Sequence, residues 1–167
     1  MYKLPVITKL EEELKKVEQE LRVDVPRQLK EAADHGDLSE NSEYDAAKER
    51  QTFLQARVTQ LHTRIESLAA ISLDALPRDK VGFGSQVTVE EVNNGEVVTY
   101  EMVAPEEVDP QRGKISLSSP IGKALLNREI DDEVRIQLPA GVREYVVVEL
   151  VTLHQMIADG GEEVEES

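Results

Sequence analysis

The chain has 167 residues, with 34 Asp or Glu against 19 Lys or Arg, and a formal net charge of −15 at pH 7. Such an acidic chain is not expected to hold a nucleic-acid backbone by overall attraction, since phosphate binding needs clustered positive charge. The absence of Cys excludes disulfides and thiolate metal sites. No signal-peptide pattern or membrane-spanning apolar run is present, which predicts a soluble, cytoplasmic protein with no membrane partner. We also expect a monomer.

The first half of the chain is predicted to form two paired helices. Its apolar residues recur at heptad spacing, the pattern of a coiled coil: Leu10, Leu14, Val17 and Leu21 in the first stretch, and Leu54, Val58, Leu61, Ile65 and Leu68 in the second. Because a short polar turn joins the two stretches, they should fold back as an antiparallel hairpin. Pro26 lacks the N–H for its helical hydrogen bond, which predicts a kink in the first stretch.

Charged residues beside the apolar seam predict how the two helices align. If the turn centres near Leu38, facing positions along the two helices sum to about 76. Arg64 then lies near Glu13, and Arg57 lies near Glu20. These are ordinary flanking ion pairs, worth a few tenths of a kcal/mol each, and they support antiparallel pairing independently of the apolar pattern.

In the second half the apolar period changes to two, which is typical of strands. "QVTVEEV", "NNG" and "EVVTYEMV" predict a β-hairpin, and "EVRIQL", "PAG" and "REYVVVELV" predict another. Between them lie a strand, "KISLS", and a short helix with Ser119 as N-cap and Pro120 at its first position. The chain is therefore α+β: a coiled coil over 1–76, a linker over 77–80, an antiparallel sheet domain with one helix over 81–157, and an acidic disordered tail over 158–167.

The polar turn "HGDLSENSEY", residues 35–44, has two interpretations. In the structural one, Gly36 ends the first helix, and Asp37 with Glu40 forms a capping box that begins the second. Ser39 and Asn41 are further cap candidates. Spacing alone favours this structural interpretation.

The number of acids in the turn favours a functional interpretation. One cap would suffice, yet five acids lie within twelve residues: Asp34, Asp37, Glu40, Glu43 and Asp45. Two carboxylates on a turn are too few for Ca²⁺ but suit Mg²⁺, whose shell is often completed by water and phosphate oxygens. Such a tip supplies half a metal site, and another macromolecule must supply the rest.

The stretch "HGDLSENSEYDAAKERQ" resembles the tip and second helix of the Gre transcript cleavage factors, the GreA/GreB family of bacterial proteins that act on RNA polymerase. The resemblance continues in "FGSQVTV" and in "ISLSSPIGKALLNREIDDEVRI" and covers nearly the whole chain except the acidic tail. A small basic patch makes the chain more similar to GreA-type than to GreB-type members. The resemblance implies an N-terminal antiparallel coiled coil followed by an FKBP-like domain.

The resemblance also implies an activity. The C-terminal domain docks at the rim of the polymerase secondary channel, and the coiled coil reaches the catalytic centre. There Asp37 and Glu40 act as catalytic residues and hold a Mg²⁺ jointly with RNA polymerase, which cleaves the RNA 3′ end of a backtracked complex. No Mg²⁺ is expected on the isolated protein, which is not an enzyme by itself. Asn41 and Tyr44 are expected to shape the tip.

Further contacts are predicted on the same basis. Lys48 and Arg50 lie near the tip, and the register places Arg50 opposite Arg27 rather than opposite an acid. These three residues are candidates for contact with the nascent RNA 3′ end, and a solvated basic face is the equal alternative.

In the C-terminal domain, Ser119, Pro120 and Ile121 are candidates for docking on the polymerase. Two other functions stay open: a channel-binding inhibitor of transcription without cleavage activity, and a coiled-coil adaptor in which the tip acids only cap a helix.

Overall fold

The computed structural model describes residues 2–36 and 41–166, with side chains up to residue 159. Asp37, Leu38, Ser39 and Glu40 lie outside the described residues. The chain divides into two compact units, Met1–Ile71 and Ser72–Ser167. None of the described helices is both long and apolar enough to cross a membrane.

The first unit is a helical hairpin, which confirms the predicted N-terminal architecture. The first arm consists of α1 (Pro5–Gln19), a π-helical turn (Glu20–Asp24) and α2 (Val25–Asp34), and the second arm is α3 (Ser42–Ala69). Both α1 and α2 pack against α3. Along α3 the buried residues recur every seven positions, at Ala47, Leu54, Leu61 and Leu68, so one seam faces the partner arm throughout.

The π-helical turn lies where the sequence predicts a kink. Its bond runs from the Val25 N–H to the Glu20 carbonyl, five residues back rather than four. Pro26 follows directly, and its ring cannot donate to or pack against the carbonyl four residues earlier. A wider turn relieves that conflict, and such single π turns insert one residue into a helix.

The inserted residue shifts the apolar seam by one position. If the heptad pattern of the first arm continued without a break beyond Leu21, it would bury three residues that are all polar: Asp24, Gln28 and Glu31. The structure instead buries Val25 and Ala32 and half-buries Leu29. The π turn therefore keeps an apolar seam on a stretch whose sequence is out of phase with the one before it.

The second unit is a five-stranded sheet with the order β3-β2-β1-β5-β4. Its strands are β1 (Gln86–Glu91), β2 (Val97–Met102), β3 (Lys114–Ile115), β4 (Glu133–Leu138) and β5 (Gly141–Val151). Both predicted hairpins are present, as β1–β2 and β4–β5. The short β3 pairs parallel to β2, because the chain returns through two 3₁₀ turns before it, and this differs from the all-antiparallel prediction.

One face of this sheet forms the core together with α4 (Pro120–Leu125). The buried cluster combines alternate residues of the strands with Leu125 of the helix: Val87, Val89, Met102, Ile115, Val134, Ile136, Tyr145 and Val147. After β5, helix α5 spans Leu153–Glu166 and so continues through the segment predicted to be a disordered tail. Thr152 and Gln155 exchange hydrogen bonds between side chain and backbone at its start, a capping box that begins the helix.

Candidate functional site at the tip of the helical hairpin

The predicted catalytic residues Asp37 and Glu40 lie outside the described residues, so the tip is defined by the residues on either side. On the first arm, α2 ends at Asp34, and Gly36 has a φ of +127°. Such a positive φ is open to glycine and terminates the helix, as the sequence predicts.

Asn41 connects the two arms of the hairpin. Its side-chain Oδ1 accepts a hydrogen bond from the Tyr44 N–H at 3.2 Å, which makes it the N-cap of α3. Its side-chain Nδ2 donates to the carbonyl of Ala32, in the last turn of α2. One amide therefore satisfies a free donor at the start of one helix and binds a carbonyl at the end of the other, which also accepts from the His35 N–H at 3.2 Å.

The predicted capping box of Asp37 and Glu40 lies outside the described residues. The described part of the second helix, α3, begins at Ser42. Among the cap candidates of the sequence, Asn41 occupies the N-cap position. The described first turn of α3 thus has its cap without either carboxylate.

A second contact crosses the tip between His35 and Glu43. The Nδ1 atom of His35 lies 3.1 Å from Oε2 of Glu43, and both side chains are exposed. Glu43 and Asp45 occupy the first turn of α3, where negative charge is favoured by the helix dipole. Tyr44, predicted to shape the tip, is half-buried.

Replacing Asn41 by Ala is expected to fray the first turn of α3 and loosen the tip. Loss of an N-cap and of a second hydrogen bond should cost about 1–2 kcal/mol in the free energy of unfolding. Amide hydrogen exchange at Tyr44, followed by NMR, measures the fraying directly, and Ser42→Ala serves as the control. Unchanged protection of the Tyr44 amide would contradict the role of Asn41.

Arg50 occupies a different environment from the predicted one. Its guanidinium binds the carboxylate of Glu20 in a bidentate manner, with Nε–Oε1 at 2.9 Å and Nη2–Oε2 at 3.0 Å. It also lies over the ring of Phe53, 5.3 Å from the ring centroid, a cation–π contact. Arg50 therefore faces an acid, and the predicted apposition with Arg27 is wrong.

The other flanking pairs show the same displacement. Arg57 binds Glu13, at 2.6 Å, rather than Glu20, so each glutamate takes the arginine one heptad nearer the tip than predicted. The residue inserted at the π turn shifts the alignment of α1 with α3 by one position from the alignment that residue counting from the tip predicts. In addition, a long flanking side chain can reach either of two partners one heptad apart, and counting does not choose between them.

Two of the three candidate RNA-contact residues are engaged within the chain. Arg50 binds Glu20, and Arg27 lies 3.6 Å from Asp24 on its own arm. Lys48 is exposed and makes one long contact, 3.4 Å, with Gln51. The arrangement leaves Lys48 as the cation of this set with the least internal engagement.

The Arg50–Glu20 pair predicts a small pH dependence of stability. The hydrogen bonds from Arg50 hold the pKa of Glu20 below its usual value, despite a smaller opposing effect of burial. Stability from this pair is therefore present above the unfolded-state pKa and is lost as the pH falls through the folded-state pKa. Glu20→Gln should lower the Tm by at most about 2 °C at pH 7.

Thermal unfolding of the wild-type chain and of Glu20→Gln at pH 7 and pH 3 checks this, with Glu12→Gln as the matched control. The Tm difference should be smaller at pH 3 than at pH 7, because protonation of Glu20 removes the ion pair, and it should shrink at high salt. A difference of equal size at both pH values and both salt concentrations would show that the contribution of Glu20 is not electrostatic.

The predicted docking residues surround the start of α4. Ser119 is its N-cap: Oγ accepts from the Gly122 N–H at 3.0 Å and donates to the Ser116 carbonyl at 2.7 Å. Pro120 occupies the first helical position, as predicted, and is exposed. Ile121 is partly buried against the core, so only part of its side chain is available to a partner.

Metal-ligating residues do not cluster elsewhere in the described parts of the chain. Over residues 2–36 and 41–166 no three His, Asp or Glu side chains are grouped so that they could hold a metal ion. The candidate site is therefore the tip, whose central acids are not described.

Comparison with known proteins identifies the class. Residues 6–69 match the family model "Transcription elongation factor, N-terminal", and residues 76–151 match "Transcription elongation factor, GreA/GreB, C-term". The chain is 44% identical over 141 residues to transcription elongation factor GreA of Trichlorobacter lovleyi, covering 84% of this chain and 89% of the relative. It is 39% identical over 155 residues to GreA of Neisseria meningitidis, covering 90% and 98%.

Similar solved structures carry related names. GreA factor homolog 1 (Gfh1) of Thermus thermophilus is 27% identical, with 87% of this chain and 94% of that chain covered and a TM-score of 0.40. The GreA/GreB factor of Nitrosomonas europaea is 26% identical, with 56% and 78% covered and a TM-score of 0.41.

The two family models together define a transcription elongation factor and leave only short segments of the chain unmatched. The chain belongs to the GreA/GreB family. Factors of this family act with RNA polymerase during elongation of the transcript.

Proposed function

We propose that this protein stimulates the Mg²⁺-dependent cleavage of the RNA 3′ end by RNA polymerase in backtracked, arrested complexes. In this proposal it enters the secondary channel with the helical hairpin and lends the carboxylates of Asp37 and Glu40 to an active site that belongs to the polymerase. It has no turnover of its own.

The observation that supports this proposal is the position of Asn41. Because Asn41 caps α3 and holds the last turn of α2, the described helix ends need no carboxylate as a cap. The proposal therefore does not take from α3 a cap that it requires. Three further acids, Asp34, Glu43 and Asp45, flank the interval between the described helix ends, so the interval lies in a strongly negative part of the chain.

The donor set fits Mg²⁺. Asp37 and Glu40 would supply hard carboxylate oxygens, and one or two carboxylates with water and phosphate oxygens form a usual Mg²⁺ shell. A second metal ion in a phosphoryl-transfer site helps to stabilise the attacking and leaving oxygens. Two ligands on an isolated tip are too few to retain the ion, so the site would exist only in the complex.

Secondary contacts follow from the described residues. Lys48, the least engaged of the three candidate cations, would contact the RNA 3′ segment directly. Arg50 and Arg27 would have to leave Glu20 and Asp24 to do the same. At the other unit, the exposed ring of Pro120 and the exposed part of Ile121 would dock on the polymerase, with Ser119 holding the helix start in place.

A cleavage assay tests the proposal. Purified protein is added with Mg²⁺ to a stalled, backtracked elongation complex that carries end-labelled RNA, and the RNA length is followed in time. Faster shortening of the RNA, followed by renewed elongation, supports the proposal. Slowed elongation without shortening would overturn it in favour of a channel-binding inhibitor.

A further inference from the structure

The face of the sheet opposite the core carries an unusual number of apolar side chains. An antiparallel sheet with one solvated face normally alternates apolar residues inward and polar residues outward. Here five valines lie on the outward face: Val92, Val97, Val142, Val146 and Val148. Their exposed fractions are 53%, 59%, 46% and 40% for Val92, Val97, Val142 and Val148, and Val146 is half-buried. We call the outward side of β2, β1, β5 and β4 the open face.

Strand register places the valines close together. Glu90 of β1 pairs with Val97 of β2 on one side and with Val146 of β5 on the other. The two valines are therefore two strand spacings apart, about 10 Å. Alternation along β5 places Val148 on the same side as Val146, and the bulge opposite Thr88 brings Glu149 to that side as well.

Unpaired glutamates surround these valines. Glu90 and Glu133 pair across the strands with Val146, and Glu149 pairs with Thr88. Among the described residues, none of these three carboxylates has a side-chain hydrogen bond or ion pair. A fourth glutamate, Glu144, lies 3.8 Å from Arg135, the one cation of the open face.

A groove of about 270 Å³ opens on this face at the β4 side. Val92, Glu133, Arg135 and Glu144 line it, together with Val134 of the same strand. It thus offers one apolar contact and a net negative rim, which suits the aliphatic stem and charged end of a lysine or arginine side chain.

The charge of the open face decides the kind of occupant. A nucleic acid or an anionic lipid surface would bring phosphates against unpaired carboxylates. A second copy of this chain would bring a net charge of −15 against the same face, and like charges oppose association. A protein segment that combines apolar and basic side chains is complementary to the open face in both respects.

We infer that the open face of the sheet is a docking surface for a basic amphipathic helix of a partner protein. A helix about 10 Å wide covers the valines of β2 and β5 with its apolar stripe. Its flanking lysines or arginines then reach Glu90, Glu133 and Glu149. None of the residues of this surface belongs to the tip or to the start of α4, and the inference does not depend on the cleavage activity.

A peptide-binding experiment on the full chain tests the inference. The probe is a fluorescein-labelled helix of about 18 residues with Leu at helical spacing and Lys elsewhere, followed by fluorescence anisotropy. A peptide of the same composition with the Leu scattered is the second probe. We expect the amphipathic peptide to bind more tightly, and Glu90→Lys with Glu133→Lys to weaken it about tenfold. Val97→Thr with Val148→Thr should weaken it about threefold while the strands persist.

A charge-matched control separates the open face from the overall acidity of the chain. Glu106→Lys with Glu107→Lys makes the same change of charge in a 3₁₀ turn outside the strands, and binding should stay within about twofold of wild type at moderate salt. Equal weakening in both double variants, equal binding of the two peptides, or no binding by the wild-type chain would each overturn the inference. Circular dichroism of each variant establishes that the sheet is retained.

Discussion

Replacing Asp37 by Asn and Glu40 by Gln together is expected to lower the stimulated rate of RNA cleavage by at least about a hundredfold. The two substitutions keep side-chain size and hydrogen-bonding capacity but remove both negative charges that would hold the second Mg²⁺. Binding to RNA polymerase should stay within about twofold, since the proposed docking residues lie in the other unit.

The measurement pairs the cleavage assay with a binding titration against the same polymerase. Glu43→Gln with Asp45→Asn is the matched control, because it removes two charges from the first turn of α3, next to the tip. The control should retain most of the stimulation. Equal loss in the two double variants would assign the effect to general negative charge rather than to the two central acids. Full activity of Asp37→Asn with Glu40→Gln would favour the adaptor hypothesis.

Replacing Val25 by Asp is expected to destabilise the helical hairpin by at least about 3 kcal/mol. Val25 is completely buried, and the π turn places it on the seam, where a carboxylate would have no water and no partner. Urea unfolding monitored by circular dichroism at 222 nm measures the change, as a shift of the midpoint at constant slope.

At the neighbouring position, Asp24, an apolar substitution should not reduce stability. Asp24→Val should be tolerated or mildly stabilising in the structure described, whereas a continuous α-helix would bury residue 24 and expose residue 25. Deleting Val23, within the π turn, should restore a continuous heptad with Val25, Leu29 and Ala32 still on the seam. That deletion should nevertheless destabilise the hairpin by about 3 kcal/mol, because it places Pro26 inside a continuous α-helix without the wider turn. Unchanged stability on deletion would mean that the π turn is not needed to accommodate Pro26.

The helical hairpin and the two β-hairpins could be predicted because their apolar periods are long and regular. The π turn was missed although a signal was present. Extending the first heptad beyond Leu21 leads to Asp24, Gln28 and Glu31, all polar, while Val25, Leu29 and Ala32 sit one place later. A shift of one residue just before Pro26 indicates an inserted residue.

The ion pairs beside the seam were less predictable than the seam itself. Apolar burial limits each helix to a narrow range of rotations, but an arginine at the edge of the seam, partly open to water, gains little from any one partner. Arg57 therefore binds Glu13 rather than Glu20 for a small difference in free energy. Sequence spacing does not resolve differences of that size.

In the second unit, helix α5 could have been predicted from the sequence, whereas the direction of β3 could not. The capping box of Thr152 and Gln155 has the recognisable Thr-x-x-Gln spacing and could have predicted helix α5. The parallel pairing of β3 rests on only two residues, and its direction depends on the path of the preceding loop. No local pattern in "KISLS" distinguishes parallel from antiparallel pairing.

At the tip, the sequence shows which acids are present, but it does not reveal both hydrogen bonds of Asn41. An Asn before a helix indicates a cap, and this part of its role was foreseeable. Its bond to the Ala32 carbonyl links residues nine positions apart and depends on how closely the arms approach, which only the fold determines.

The double attachment of Asn41 bears on the thermodynamics of each encounter with a partner. Asn41, which caps α3, is held through both its backbone carbonyl and its side chain, so this residue is ordered when the hairpin folds. Conformational freedom that is lost on folding does not have to be lost again on association. A partner that contacts the described ends of the two arms therefore meets an ordered surface, and less of the binding free energy is spent on ordering it.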